Sequence, residues 1–196
     1  SEVYGTNFPG IMTEKALEKY APRLSNDYGL SKWVNEQQIM NSAARTGTET
    51  VRWRFSNVYG PGEYYTPYRS VICLFIYRAL HNMPYTVNTS GKRAFLYIDD
   101  AIDTVISIME NFKPGEVYNI ATGHGITIRA MLDMLIGMAR IEVRVETDPA
   151  RLRPSDVEVL IGDSSKFRAD TGWAPRIPFD VTLRDLLDYW RERVRA

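Results

Sequence analysis

The sequence is poor in the features that mark metal, membrane and nucleic-acid proteins. It holds one cysteine, Cys73, so no internal disulfide can form; the thiol sits in the apolar run Val71 to Ile76 and reads as a buried, inert side chain. The two histidines, His81 and His124, lie far apart with no ligand spacing to the cysteine, so no metal site is expected. Lysine plus arginine number 24 against 24 aspartate plus glutamate, and no basic run breaks the balance, which argues against nucleic acid or an anionic membrane as partner. No apolar stretch approaches the roughly 18 residues of a membrane span, and no leader peptide is expected at Ser1. A cytoplasmic setting is the expectation. Also missing is any Gly-x-x-Gly-x-x-Gly turn; Gly123-His124-Gly125 lacks a third glycine in register and reads as an ordinary turn. What remains is a chain of 196 residues, 44% hydrophobic, long enough for one good core or two small ones.

The most informative stretch runs from Asn26 to Lys32. It opens a helix that extends to about Arg45, capped by Ser25, Asn26 or Asp27 and ended by Gly47. Tyr28 and Lys32 are four residues apart and share one helical face. Bringing a phenol's pKa from near 10 to near 7 requires roughly 4 kcal/mol, and an ammonium at about 4 Å supplies about that much at an effective dielectric near 20. Such a pair can exchange a proton with a substrate hydroxyl while hydride moves. With 12 tyrosines in 196 residues, chance alone gives about 0.4 matches to this spacing, so its neighbourhood decides its meaning.

That neighbourhood is Ser1-Glu2-Val3-Tyr4-Gly5 before it and Arg54-Phe55-Ser56-Asn57-Val58-Tyr59-Gly60-Pro61-Gly62 after it. Further on come Arg93-Ala94-Phe95-Leu96-Tyr97-Ile98-Asp99 and Arg153-Pro154-Ser155-Asp156. In this order, almost from end to end, the chain resembles the extended short-chain dehydrogenase/reductase family, the nucleotide-sugar epimerases and dehydratases. The resemblance implies an α/β fold: the C-terminal part of a Rossmann-type doubly wound parallel sheet plus a small α/β substrate-binding domain. Residues 1–62 would be the remaining Rossmann part, and 63–196 mainly the nucleotide-sugar region, with segments around 85–120 returning to the sheet.

Along the chain, Ser1 to Gly5 reads as the end of a buried strand, and residues 6–27 as a loop over the site with a short helix capped by Thr13. The apolar residues Trp33, Val34, Ile39, Met40, Ala43 and Ala44 predict a broad buried or dimer-forming face on the long helix. Thr50 to Ser56 is a predicted strand feeding a turn from Asn57 to Gly62. Helices are expected over Tyr68–His81, Ala101–Asn111, Thr127–Met138 and Val181–Val194. Strands are expected over Pro84–Val87, Gly91–Ile98, Glu116–Ile120 and Ile141–Val145, with Asp99 or Asp100 as a helix cap.

The resemblance also assigns roles. Tyr28 would be the acid-base group at the sugar C4 hydroxyl, and Lys32 would hold the ribose of bound NAD or NADP, with Phe55 beside the nicotinamide. Asn57, Arg69, Arg93 and Arg153 would contact a nucleotide diphosphate sugar; the planar, permanently charged guanidinium forks of Arg93 and Arg153 suit a diphosphate. Glu2 matches the carboxylate that dehydratases and decarboxylases of the family place before Val-Tyr-Gly, where it can take a C5 proton made acidic by a 4-ketone. A 4,6-dehydratase is therefore the first expectation, with decarboxylase, 4-epimerase and 4-ketoreductase behind it. The 28–45 helix would pair two copies in a homodimer. A reading of another class is a catalytically silent chain that only binds nucleotide sugar or self-associates. The family's glycine turn is not in this sequence, so residues 1–196 alone are expected to bind NAD or NADP no more tightly than about 1 mM.

Overall fold

The computed structural model describes residues 2–6, 8, 10–66, 70–86, 91–111, 113–139, 145–146 and 159–194. A 3₁₀ turn at Glu2–Tyr4 is followed by β1 (Ile11–Met12), α1 (Ala16–Lys19), α2 (Asp27–Thr46), β2 (Arg52–Phe55) and β3 (Asn57–Tyr59). Then come α3 (Val71–Leu80), β4 (Tyr85–Thr86), β5 (Lys92–Arg93), β6 (Phe95–Tyr97), α4 (Ile98–Asn111) and β7 (Val117–Ile120). The chain continues through β8 (Ile126–Thr127), α5 (Ile128–Met138), β9 (Val145–Glu146), β10 (Val159–Gly162), α6 (Ser165–Thr171) and α7 (Phe179–Val194). This is a Rossmann-like α/β fold with parallel strands joined by helical crossovers.

Four sheets form. β2 pairs in parallel with β7, with Arg54 beside Asn119 and Phe55 beside Ile120. β3 pairs in parallel with β6, setting Asn57 against Phe95. The strands β1, β10, β5 and β8 make a third sheet, parallel except for the β5–β8 pair, and β4 pairs with β9. Alternation along β2 divides its side chains: Trp53 and Phe55 pack into a core with Leu96, Ile108, Tyr118, Ile120, Phe167 and Trp173, while Arg54 points the other way, toward α2. A larger core holds α3, α5 and α7 together through Ile72, Phe75, Ile76, Leu132, Leu135, Leu183 and Leu186. Burying side chains of this size contributes about 1.5–3 kcal/mol each.

Several boundaries differ from expectation. Glu2–Tyr4 is a 3₁₀ turn rather than a strand end, because Gly5 turns the chain at φ 70° and lies so close to Arg23 that a Cβ would meet its backbone at 2.7 Å. Thr13 does not cap α1; Lys15 takes that position and makes no side-chain cap bond, while the Thr13 carbonyl accepts from the Ala16 amide. Asn57 lies in β3 and not in the turn, which is confined to Gly60 onward. Asp99 and Asp100 sit inside the first turn of α4; the buried Asp100 carboxylate accepts from the amides of Arg176 and Ile177, fastening the segment before α7. α3 begins after Ser70, whose hydroxyl accepts from the Cys73 amide; Tyr68 and Arg69 lie outside the described residues. Of the strand expected over 141–145, only Val145 is among the described residues.

Candidate functional site

α2 is placed by its caps. The Asn26 side-chain oxygen accepts from the Gly29 amide at 2.7 Å, and Gly47, at φ 71°, closes the helix by donating to the Ala43 carbonyl at 2.9 Å. Tyr28 therefore stands in the first turn, 58% exposed, with the Lys32 ammonium 5.3 Å from its ring centroid. Openness matters here, since a phenol that exchanges protons with a ligand must be reachable. Glu2 comes to the same place from the other side. Its Oε2 accepts from Asn26 Nδ2 at 2.7 Å, and a Cβ on Gly29 would lie only 3.5 Å from the Glu2 backbone oxygen.

Beneath this cluster lies a buried network absent from the sequence-based expectations. Arg54 donates Nε to Glu36 Oε1 at 2.9 Å and Nη2 to Glu36 Oε2 at 2.7 Å, a two-point fork between β2 and α2. Its Nη1 donates to the Tyr4 hydroxyl at 3.0 Å, which in turn donates to Asn119 Oδ1 at 2.6 Å. Asn119 Nδ2 reaches the Met12 carbonyl at 2.8 Å, and its backbone amide donates to Glu14 Oε1 at 2.7 Å. Burial pushes the Tyr4 phenol up, against the opposing pull of Arg54, so Tyr4 serves as a neutral bridge. Burial alone would lower the Arg54 pKa, yet the bonds and charges of Glu36 and Tyr4 outweigh it and hold the guanidinium charged. Glu36 is one of only two buried residues of α2. The expected apolar face is correspondingly open: Val34, Ile39 and Met40 are all exposed.

The substrate-side residues are more scattered. Asn57 donates its amide to the Ala94 carbonyl at 3.0 Å, which ties β3 to the segment carrying Arg93. Arg93, half-buried on β5, donates Nη1 to the Lys92 carbonyl at 3.1 Å. Phe55 stands edge-on to Trp53, with ring centroids 6.1 Å apart. Arg69 and Arg153 lie outside the described residues. A small cleft of about 20 Å³ separates Tyr4, Arg54 and Asn119 from Ser56, Asn57 and Leu160. Ser56 lines this cleft, and its buried hydroxyl has no hydrogen-bond partner among the described residues. A larger cavity of about 410 Å³, walled by Tyr59, Phe95, Tyr97, Arg168 and Phe179, contains none of the sequence-identified catalytic residues. The candidate residues Tyr28, Lys32 and Glu2 and the larger cavity thus fall in different places.

These residues suit the reactive end of a nicotinamide dinucleotide: an open tyrosine–lysine face and a buried hydroxyl, at Ser56 beside Asn57, that has no partner among the described residues. For the pyrophosphate end, the sequence holds no glycine-rich turn.

A family profile described as GDP-mannose 4,6 dehydratase matches residues 1–186. The chain belongs to the extended short-chain dehydrogenase/reductase family of nucleotide-sugar epimerases and dehydratases. Among relatives of this family, it is 27% identical over 197 residues to the GDP-6-deoxy-D-mannose reductase of Pseudomonas aeruginosa, covering 95% of this chain and 64% of that protein. It is 28% identical to human dTDP-D-glucose 4,6-dehydratase, over 97% of this chain and 54% of that one. The family chain thus spans between about half and two thirds of the length of these relatives. Its fold superposes on the UDP-glucose 4-epimerase of Thermotoga maritima, solved with UDP-glucose, with a TM-score of 0.82 at 26% identity, covering 97% of this chain and 60% of that one. The RMD structure from Pseudomonas aeruginosa, solved with NADPH, gives 0.81 at 25% identity, covering 98% and 65%. No helix among the described residues is long and apolar enough to cross a membrane.

Proposed function

We propose that this chain supplies the acid-base face of a sugar-nucleotide 4,6-dehydratase, with NAD or NADP as cofactor and a nucleotide diphosphate sugar as substrate. The observation that carries this reading is the Glu2–Asn26 hydrogen bond, which sets a carboxylate at the start of the helix that carries Tyr28 and Lys32. Tyr28, as a phenolate steadied by the Lys32 ammonium, would take the proton of the sugar C4 hydroxyl and become the neutral phenol. When bound, the dinucleotide supplies the hydride acceptor at C4. Glu2 would then take the C5 proton, the electron pair forming C5=C6 as hydroxide leaves C6 and is protonated to water; return of the hydride to C6, with a solvent-exchanged proton delivered to C5 by Glu2, would complete the product. Arg93, with Arg69 and Arg153, would hold the diphosphate, and Asn57 would fix the strand beside it. Tyr28 and Lys32 would also contact the cofactor ribose, and Phe55 its nicotinamide. The exposed Leu30, Val34 and Ile39 on α2 would meet their counterparts in a second copy, making a homodimer.

A second reading is a 4-ketoreductase, favoured by the reductase relative at 27% identity; it needs Tyr28 and Lys32 but no base at C5. The two separate in one experiment on a protein of full family length that includes this chain. With GDP- and dTDP-sugars in deuterated water, the dehydratase reading expects label at C5. Glu2→Gln should abolish that label while reduced cofactor accumulates. Unchanged product from Glu2→Gln would favour the reductase or epimerase reading, in which Glu2 is only a polar residue beside the helix.

A further inference from the structure

Asn26 does two things at once. As the N-cap of α2 it must turn its side-chain oxygen to the Gly29 amide, because only an acceptor can satisfy that open donor. This fixes the amide plane and leaves Nδ2 as a donor pointing away from the helix, where it meets Glu2 Oε2 at 2.7 Å. The orientation of Asn26 is thus set by the helix backbone and passed to the carboxylate.

Glu2 is exposed, and a single hydrogen bond at an exposed site holds a flexible side chain weakly. The backbone beneath Glu2 supplies the rest. Val3 and Tyr4 are buried, and the Tyr4 hydroxyl is gripped on one side by Arg54 and on the other by Asn119. The phenol of Tyr20 donates to the Tyr4 carbonyl, and the Gly5 amide donates to the Glu2 carbonyl at 3.0 Å. Arg54 is forked in turn onto Glu36, two turns along the helix from Tyr28. The short turn carrying Glu2 is therefore tied to α2 at two points: Asn26 at the helix start and Glu36 farther on.

We propose that Asn26 is a positioning residue that presents the Glu2 carboxylate to the substrate in register with Tyr28. Its catalytic part rests on the reading of Glu2 as the C5 base; its structural part does not.

Asn26→Ser is the informative variant, since serine caps a helix about as well as asparagine but has no amide to donate to Glu2. In NMR spectra of this chain, the wild type should show an Overhauser contact from the Asn26 side-chain amide to Glu2 Hγ, and a protected Gly29 amide. Asn26→Ser should keep the Gly29 protection and the melting temperature while the Glu2 side chain gains mobility. Asn26→Ala should lose the protection as well. In the full-length protein, Asn26→Ser should lower the ratio of C5 deuterium exchange to cofactor reduction by about tenfold, the scale of one hydrogen bond to a charged group. A missing Asn26–Glu2 contact, or Glu2 mobility equal in wild type and Asn26→Ser, overturns the positioning role. An unchanged exchange ratio overturns its part in catalysis. Turnover without C5 exchange in the wild type overturns instead the reading of Glu2 as the base.

Discussion

Removing Glu36 should destabilise the protein far more than a typical surface carboxylate would. Only 5% of the Arg54 side chain and 11% of the Glu36 side chain are exposed, so Glu36→Ala leaves a guanidinium buried with both points of its fork unmet. Breaking a buried pair from one side costs about 3–5 kcal/mol, because the surviving charge keeps its desolvation penalty without its partner. At about 2–4 °C per kcal/mol for a chain of this size, the melting temperature should fall by about 6–20 °C. Thermal unfolding followed by far-ultraviolet circular dichroism measures it. Two further variants isolate the cause. The double change Glu36→Ala with Arg54→Met removes both charges and should recover most of the loss. Asp133→Ala, which breaks the pair with Arg129 at 61% and 52% exposure, should cost no more than about 0.5 kcal/mol. A Glu36→Ala protein that melts within about 3 °C of the parent would refute the reasoning, as would a double variant no better than the single one.

Other expectations follow from the same geometry. Tyr28→Phe keeps the ring and removes the titrating oxygen, so kcat of a full-length family protein carrying this chain should fall at least about 100-fold; near-normal turnover removes Tyr28 from the mechanism. On the far side of the β2–β7 pair, hydrogen bonding from Lys166 holds the Glu116 carboxyl below its usual range, and hydrogen bonds from Lys113 and Tyr118 do the same for Asp170. Carboxyls depressed on folding stabilise the protein above the ordinary carboxylate range and lose that effect as pH falls through their lowered values. The melting temperature should therefore decline below about pH 4, modestly because both groups lie near solvent, and Asp170→Asn should flatten the decline.

What could be read from the sequence was mostly local. Asn26 and Gly47 mark the ends of α2 because a cap satisfies its orphan groups with an atom a few residues away, and Thr127 does the same for α5. The parallel α/β plan followed from motif order. Pairings across the chain were not legible. Arg54 in an Arg-Trp-Arg-Phe strand looks like any half-exposed arginine, and Glu36 like a solvent-side glutamate of a charged helix; their burial appears only once α2 lies over β2. The apolar residues on α2 left open whether they cover the sheet or a second copy; within this chain the helix turns its Glu36 carboxylate inward and leaves Val34 and Met40 exposed. Asn57 has a turn-former's side chain, yet β3 takes it because Phe95, Leu96 and Tyr97 offer a partner strand. A hint was available: an arginine alternating with two aromatics in one strand calls for a counter-charge on the facing helix.

The pairing of β1 with β10 sets Ile11 beside Ile161, about 150 residues later in the chain. At a synthesis rate of about 5–20 residues per second, the first of these strands waits on the order of 8–30 seconds for its partner to be made. Meanwhile its hydrogen-bonding edge is unpaired, and the loop that must close between the two is among the longest this chain permits. Parallel pairs such as β2 with β7 add to the wait, because each also joins segments separated by a long crossover. Maturation of this protein should thus be governed from its C-terminal third: α3, α5 and α7 can assemble their apolar core once α7 arrives, and the region bearing Glu2 and Tyr28 gains its last strand contacts only when β10 docks.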